Sequence, residues 1–116
     1  MRPSVLIVEP RRDIAAALEG VVNGANYVAV VRTHMEQLSD LTATPAAIIV
    51  RISFESMSEP AHALIARLPA GRPPVIAIVS KAEEVAEAER LRCDVVLKAP
   101  REINRLCDVL ERLVHP

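Results

Sequence analysis

Charged and hydroxyl residues stand at the ends of apolar runs, and these are the places from which this chain could do chemistry. Glu9, Pro10, Arg11 and Arg12 follow Val5-Leu6-Ile7-Val8, and Arg51-Ile52-Ser53 follow Ala46-Ala47-Ile48-Ile49-Val50. Ser80-Lys81 follow Val75-Ile76-Ala77-Ile78-Val79, and Lys98-Ala99-Pro100 follow Val95-Val96-Leu97. A lone carboxylate is a poor start for Mg²⁺, which takes oxygen ligands, typically one or two carboxylates with phosphate oxygens. Arg11, Arg12 and Arg51 form a candidate anion site, for a nucleotide phosphate for example. Arg105-x-x-Asp108 resembles arginine-based nucleotide motifs, but no glycine-rich turn accompanies it.

Other reactive side chains lack partners in the sequence. Cys107 falls on the expected apolar stripe of the last helix and reads as packing, while Cys93 has no histidine or carboxylate arrangement around it. His34, His62 and His115 are scattered without metal-ligand spacing and read as surface residues, so no metal site is expected. Ser53, Ser56 and Ser58 lack a nucleophile-elbow pattern, and Phe54 and Met57 in the same loop are either a small apolar contact spot or cover for the sheet edge.

The runs that carry these residues do not alternate polar with apolar. Strands of that kind are covered on both faces, the habit of a parallel sheet between helices, and their β-branched content favours strand over buried helix. Tyr27 to Val31 is a fifth, weaker run. Helical spacing fills the gaps. Ile14, Leu18, Val21 and Val22 share a stripe with Asp13 in the first turn and Asn23-Gly24 as a stop. Thr33-His34-Met35-Glu36 and Ser80-Lys81-Ala82-Glu83 read as capping boxes, each opening a helix. Pro60 leads a helix over Ala61 to Leu68, with Leu64, Ile65 and Leu68 inward, broken by Pro69-Ala70-Gly71. The last helix runs from about Arg101 to Val114 and buries Ile103, Leu106, Cys107, Leu110 and Leu113. Five strands alternating with five helices make an α/β, doubly wound parallel sheet, in which function gathers at the carboxyl ends of the strands.

Composition bounds the rest. A chain of 116 residues suits one domain over 1–116, and 51% hydrophobic with 25% charged residues excludes a disordered tail. A net charge of −1 gives no field for nucleic acid or an anionic membrane, and Tyr27 and Phe54 are too few aromatics for a base-stacking surface. Two cysteines, no leader at Met1-Arg2-Pro3 and no apolar stretch near the ~20 residues of a span predict a reducing cytoplasm and no membrane contact.

The succession of Val5–Ile14, Pro45–Arg51, Pro74–Ser80 and Asp94–Pro100 resembles, over nearly the whole chain, the receiver domain of bacterial two-component response regulators. The resemblance implies a flavodoxin-like sheet in the order 2-1-3-4-5. It also implies a phosphorylation pocket: two acidic residues after the first strand for Mg²⁺ and a phosphoacceptor aspartate ending the third. A hydroxyl residue ends the fourth strand, and a lysine precedes a cis proline after the fifth. Here the matching positions are Glu9, Pro10, Arg51, Val79 and Ala99, followed by Pro100; a one-residue slip would substitute Ser80 for Val79 and Lys98 for Ala99. No slip places an aspartate at the end of the third strand.

Arginine there is permanently charged, accepts no phosphoryl group and repels a divalent cation. The resemblance implies neighbouring first and third strands, so Glu9 and Arg51 should meet as an ion pair, attracting by roughly 4 kcal/mol at about 4 Å before desolvation is counted. The alternative is an Arg51 that snorkels to water while Glu9 stays solvated. Val79 and Val96 stand where receivers carry their moving hydroxyl and aromatic residues, so the switch is missing too. The expected function is a pseudo-receiver: a non-enzymatic module without cofactor that works through protein contacts. Alternatives are an anion or nucleotide sensor and the regulatory end of a longer transcription factor or kinase. Glu83, Glu84, Glu87 and Glu89 on the fourth expected helix, with Arg101, Arg105 and Arg112 on the fifth, either form a dimer or partner face or are merely solvated.

Overall fold

A computed structural model describes residues 2–33, 44–53, 65 and 71–115. Its elements run β1 (Ser4–Val8), α1 (Arg12–Gly24), β2 (Val28–Arg32), β3 (Ala47–Arg51), β4 (Val75–Val79), α2 (Ala82–Arg90), β5 (Val95–Lys98), a 3-10 turn (Ile103–Arg105) and α3 (Leu106–Val114). The strands form one parallel sheet in the order β2-β1-β3-β4-β5. Among the described residues there are three α-helices rather than the five expected. The helix after Thr33 and most of the one from Ala61 to Leu68 fall outside the described residues; Ile65 alone is described there, helical and buried.

The unalternating runs form strands because both faces of the sheet are covered. Val5, Ile7, Ile49, Ile76, Ile78 and Leu97 pack on one face against Leu18 and Val22 of α1 and Leu106, Val109 and Leu110 of α3. Leu6, Val8, Ile48, Val50, Ala77 and Val79 pack on the other with Ala88 of α2 and Ile65. Each large apolar side chain so buried contributes about 1.5–3 kcal/mol, which fixes the register. The weaker run is the edge strand β2, where Val28 is 39% exposed.

The turns out of α1 and α2 each carry a left-handed residue. Asn26 (φ 72°) follows α1, with Asn26 N–H donating to Asn23 O and Tyr27 N–H to Val22 O. Arg92 (φ 60°) follows α2 in the same way, with Arg92 N–H to Glu89 O and Cys93 N–H to Ala88 O. These paired bonds satisfy carbonyls that the helix end leaves open.

The last helix departs from its expected stripe. Its first turn, at Ile103–Arg105, is 3-10, which advances about 120° per residue, so the α phase starts afresh at Leu106. Leu106, Val109 and Leu110 then face inward with Leu113 beside them, and Cys107 lies exposed rather than packed. No helix among the described residues is long and apolar enough to cross a membrane.

Candidate functional site

The pairing of β1 with β3 sets Val8 against Val50, so the next residues, Glu9 and Arg51, emerge side by side at the carboxyl edge of the sheet. The expected ion pair is there. Arg51 Nε donates to Glu9 Oε2 at 2.5 Å and Arg51 Nη2 to Glu9 Oε1 at 2.9 Å. Glu9 Oε1 also accepts the Arg11 backbone N–H at 3.0 Å. The Glu9 side chain is 0% exposed and that of Arg51 14%, so the guanidinium does not snorkel free. Hydrogen bonding to Glu9 holds the Arg51 pKa above its ordinary value, against the burial that opposes its charge. A divalent cation does not fit this arrangement: both Glu9 oxygens are turned to a guanidinium, Pro10 brings no ligand, and Arg51 adds repulsion. Among the described residues no three His, Cys, Asp or Glu side chains gather in a way that could hold a metal ion.

A cleft of about 500 Å³ opens beside the pair. Its apolar wall includes Ile14 and Ala17 of α1, Ile78, Ala99, Pro100 and Ile103; Arg11, Asp13, Arg51, Ser53, Ser80, Lys81 and Glu84 supply the polar part. Of the one-residue alternatives, the cleft is lined by Ala99, not Lys98, whose side chain is exposed. Val79 is buried in the core, and Ser80 lines the cleft from an exposed position. The Ala99-Pro100 bond is cis. The three arginines expected to share an anion do not converge as free cations. Arg11 pairs with Asp13 at 2.9 Å, Arg51 is held by Glu9, and Arg12 is exposed and does not line the cleft.

Glu84 overturns two expectations. The expected box at Ser80–Glu83 does not form: Lys81, not Ser80, is the last extended residue before α2 and its ammonium accepts no hydrogen bond, so only the carboxylate half is present, supplied by Glu84 rather than Glu83. Glu84 Oε1 accepts the backbone N–H groups of Ser80 at 2.7 Å and Lys81 at 3.2 Å. With 2% exposure Glu84 therefore cannot join a docking face, and the sequence signal for its role was the acid three residues beyond the true cap. Glu83, Glu89, Arg101 and Arg112 are exposed. Glu87 instead accepts from Arg90 Nε at 2.8 Å on its own helix, and Arg105 lies 3.5 Å from Glu102. His34, Phe54, Ser56, Met57, Ser58 and His62 lie outside the described residues.

At the opposite, amino edge, Tyr27 is buried, donates its hydroxyl to Glu111 Oε2 at 3.2 Å and stacks on His115. Burial, then the bond to Glu111, pushes the Tyr27 pKa up. Burial likewise pushes the Cys93 thiol up to about 11, which leaves it protonated and a poor nucleophile.

No family model matches the chain, and no curated protein sequence does. Solved structures do. A receiver domain of the Francisella response regulator 1452 matches with TM-score 0.76 and 18% identity, covering 97% of each chain. A response regulator receiver protein from Burkholderia phymatum matches with TM-score 0.76 and 20% identity over 94% of this chain and 95% of its own. The chemotaxis response regulator CheY4 of Vibrio cholerae matches with TM-score 0.74 and 17% identity over 97% and 99%. Sheet order and these likenesses agree: the chain has the fold of a response-regulator receiver domain.

Proposed function

We propose that this chain is a phosphorylation-independent receiver-type module of the cytoplasm, signalling through protein contacts and not as an enzyme. The observation that carries this is the buried Glu9–Arg51 pair, which fills the place where the fold's relatives, by resemblance, keep metal and phosphoacceptor. A guanidinium offers no oxygen to phosphorylate, and a ligand that makes no differential contact shifts no conformational equilibrium. The exposed acids Glu83 and Glu89 of α2 and the exposed Arg101 and Arg112 near and on α3 supply opposite charges for a homodimer or partner contact. An anion sensor is the weaker reading, because Arg11 and Arg51 already hold carboxylates.

The test is incubation with acetyl phosphate and Mg²⁺, and separately with beryllofluoride and Mg²⁺, followed by intact mass and amide NMR spectra. No added phosphoryl mass and no shift at Ser53, Ser80 or Ala99 is the expected result. Stoichiometric modification, or shifts saturating with beryllofluoride, would overturn the reading.

A further inference from the structure

The cleft beside the pair is hollow rather than filled, and its electrostatics are balanced from within. At about 500 Å³ it lies in the ~300–1,000 Å³ range of small-molecule sites, which are largely apolar with a few placed polar groups. Ala17 on α1 and Ala99 after β5 leave room between the larger Ile14, Ile78 and Ile103. Among the described residues three cations, Arg11, Arg51 and Lys81, line it, against Asp13 and Glu84 in the lining and Glu9 behind Arg51. The arginines and the acids among them are engaged: Arg11 holds Asp13, Arg51 holds Glu9, Glu84 accepts two backbone N–H groups, and Lys81 is not without a partner.

Among the described residues a ligand of net charge would therefore meet no uncompensated partner. It would have to lose its hydration and then break a pair, Glu9–Arg51 being the costly one. An uncharged molecule avoids both costs. Its apolar body covers Ile14, Ala17, Ala99 and Ile103, while a polar head bonds to hydroxyls and to the outward edges of the ion pairs. We propose that this cleft is a binding site for a small uncharged amphipathic molecule: an aromatic or branched aliphatic body with one amide-like head. The proposal rests on the reading that the site takes neither metal nor phosphoryl group, and it adds what the site takes instead.

Three probes of one shape and different charge test it: benzamide, benzoate and benzamidine, titrated into the ¹⁵N-labelled full chain. Benzamide should shift the amides of Ala17, Ser53, Ala99 and Ile103 saturably, with a dissociation constant of about 1–10 mM as ligand efficiency allows for a molecule of about nine heavy atoms. Benzoate and benzamidine should bind at least about threefold more weakly. A99L and, on the exposed face of α1, A17L fill the space and should each lower benzamide affinity about tenfold or more while leaving amide shifts remote from the cleft unchanged. A17L keeps the test alive if A99L does not fold. Tighter binding of benzoate or of benzamidine, absence of saturable benzamide shifts, or unchanged benzamide affinity in a folded variant would each overturn the proposal. None of those outcomes touches the beryllofluoride result, which judges the earlier reading separately.

Discussion

The two edges of the sheet bury polar groups by opposite means. At the carboxyl edge the charge is kept and matched: Glu9 is fully buried, and the cation of Arg51 is stabilised by it. At the amino edge two groups are kept neutral instead: burial raises the pKa of the Tyr27 hydroxyl and of the Cys93 thiol, so both keep their protons, and Tyr27 reaches out to an exposed Glu111. A matched buried pair is costly to break from one side and near neutral to replace from both, whereas a neutral group with a hydrated acceptor is cheap to remove.

The largest effect should therefore come from Arg51→Met, which leaves the buried Glu9 carboxylate without its cation. Loss of about 3–5 kcal/mol is expected, seen as a lower urea midpoint at unchanged slope. Glu9→Leu with Arg51→Met should recover most of it, since an apolar pair of similar volume replaces the charges. If the double variant were as unstable as the single one, charge matching would not be what holds the carboxyl edge. Tyr27→Phe, by contrast, removes one hydrogen bond to an acceptor that water can reach. About 0.5–1.5 kcal/mol is expected in the same denaturation series, and a loss as large as that of Arg51→Met would erase the distinction between the edges.

A smaller change, of the opposite sign, belongs to Arg92. Its left-handed backbone is strained for a residue with a Cβ, and Arg92→Gly should stabilise the chain by a few tenths of a kcal/mol up to about 1. The gain is read as a rise in melting temperature. The Arg92 carbonyl, which accepts from Arg72 Nη2, is present in either residue, so that contact should persist.

How much of this the sequence carried follows from the kind of physics involved. Val5–Val8 or Val75–Val79 can be read as strands because burial on both faces leaves a plain apolar run, but it is the order 2-1-3-4-5, implied by the resemblance to receiver domains and not by the runs, that places Glu9 beside Arg51. Cys107 falls on the expected stripe but not on the buried face because the stripe depends on where a 3-10 turn gives way to α-helix, a matter of backbone phase that residue spacing does not fix. Glu84 reads as a surface acid from spacing alone because either Ser80 or Lys81 can end the extended segment, and one residue of shift turns an exposed acid into a buried one. The cleft was illegible for a further reason. Its volume depends on how α1 and the segment after β5 stand apart, which is tertiary geometry.

The last contrast is silent at neutral pH. Folded Cys93 holds its proton up to about 11, against an ordinary value of 9.0 for an unburied thiol, with burial the main cause. The folded chain thus binds this proton more tightly than the unfolded chain. The contribution to stability is fully present below pH 9 and is lost as pH rises from 9 through about 11. Cys93→Ala should flatten that part of the alkaline stability slope, measured as urea midpoints between pH 8 and pH 11, with wild type and variant sharing the slopes of their tyrosine and lysines. Iodoacetamide at pH 8 gives the kinetic counterpart: Cys107, exposed on α3, should alkylate at least about tenfold faster than Cys93, because burial keeps the Cys93 thiol protonated and limits access to it. Equal rates at the two cysteines, together with parallel alkaline slopes, would show that burial at the amino edge does not keep this group neutral.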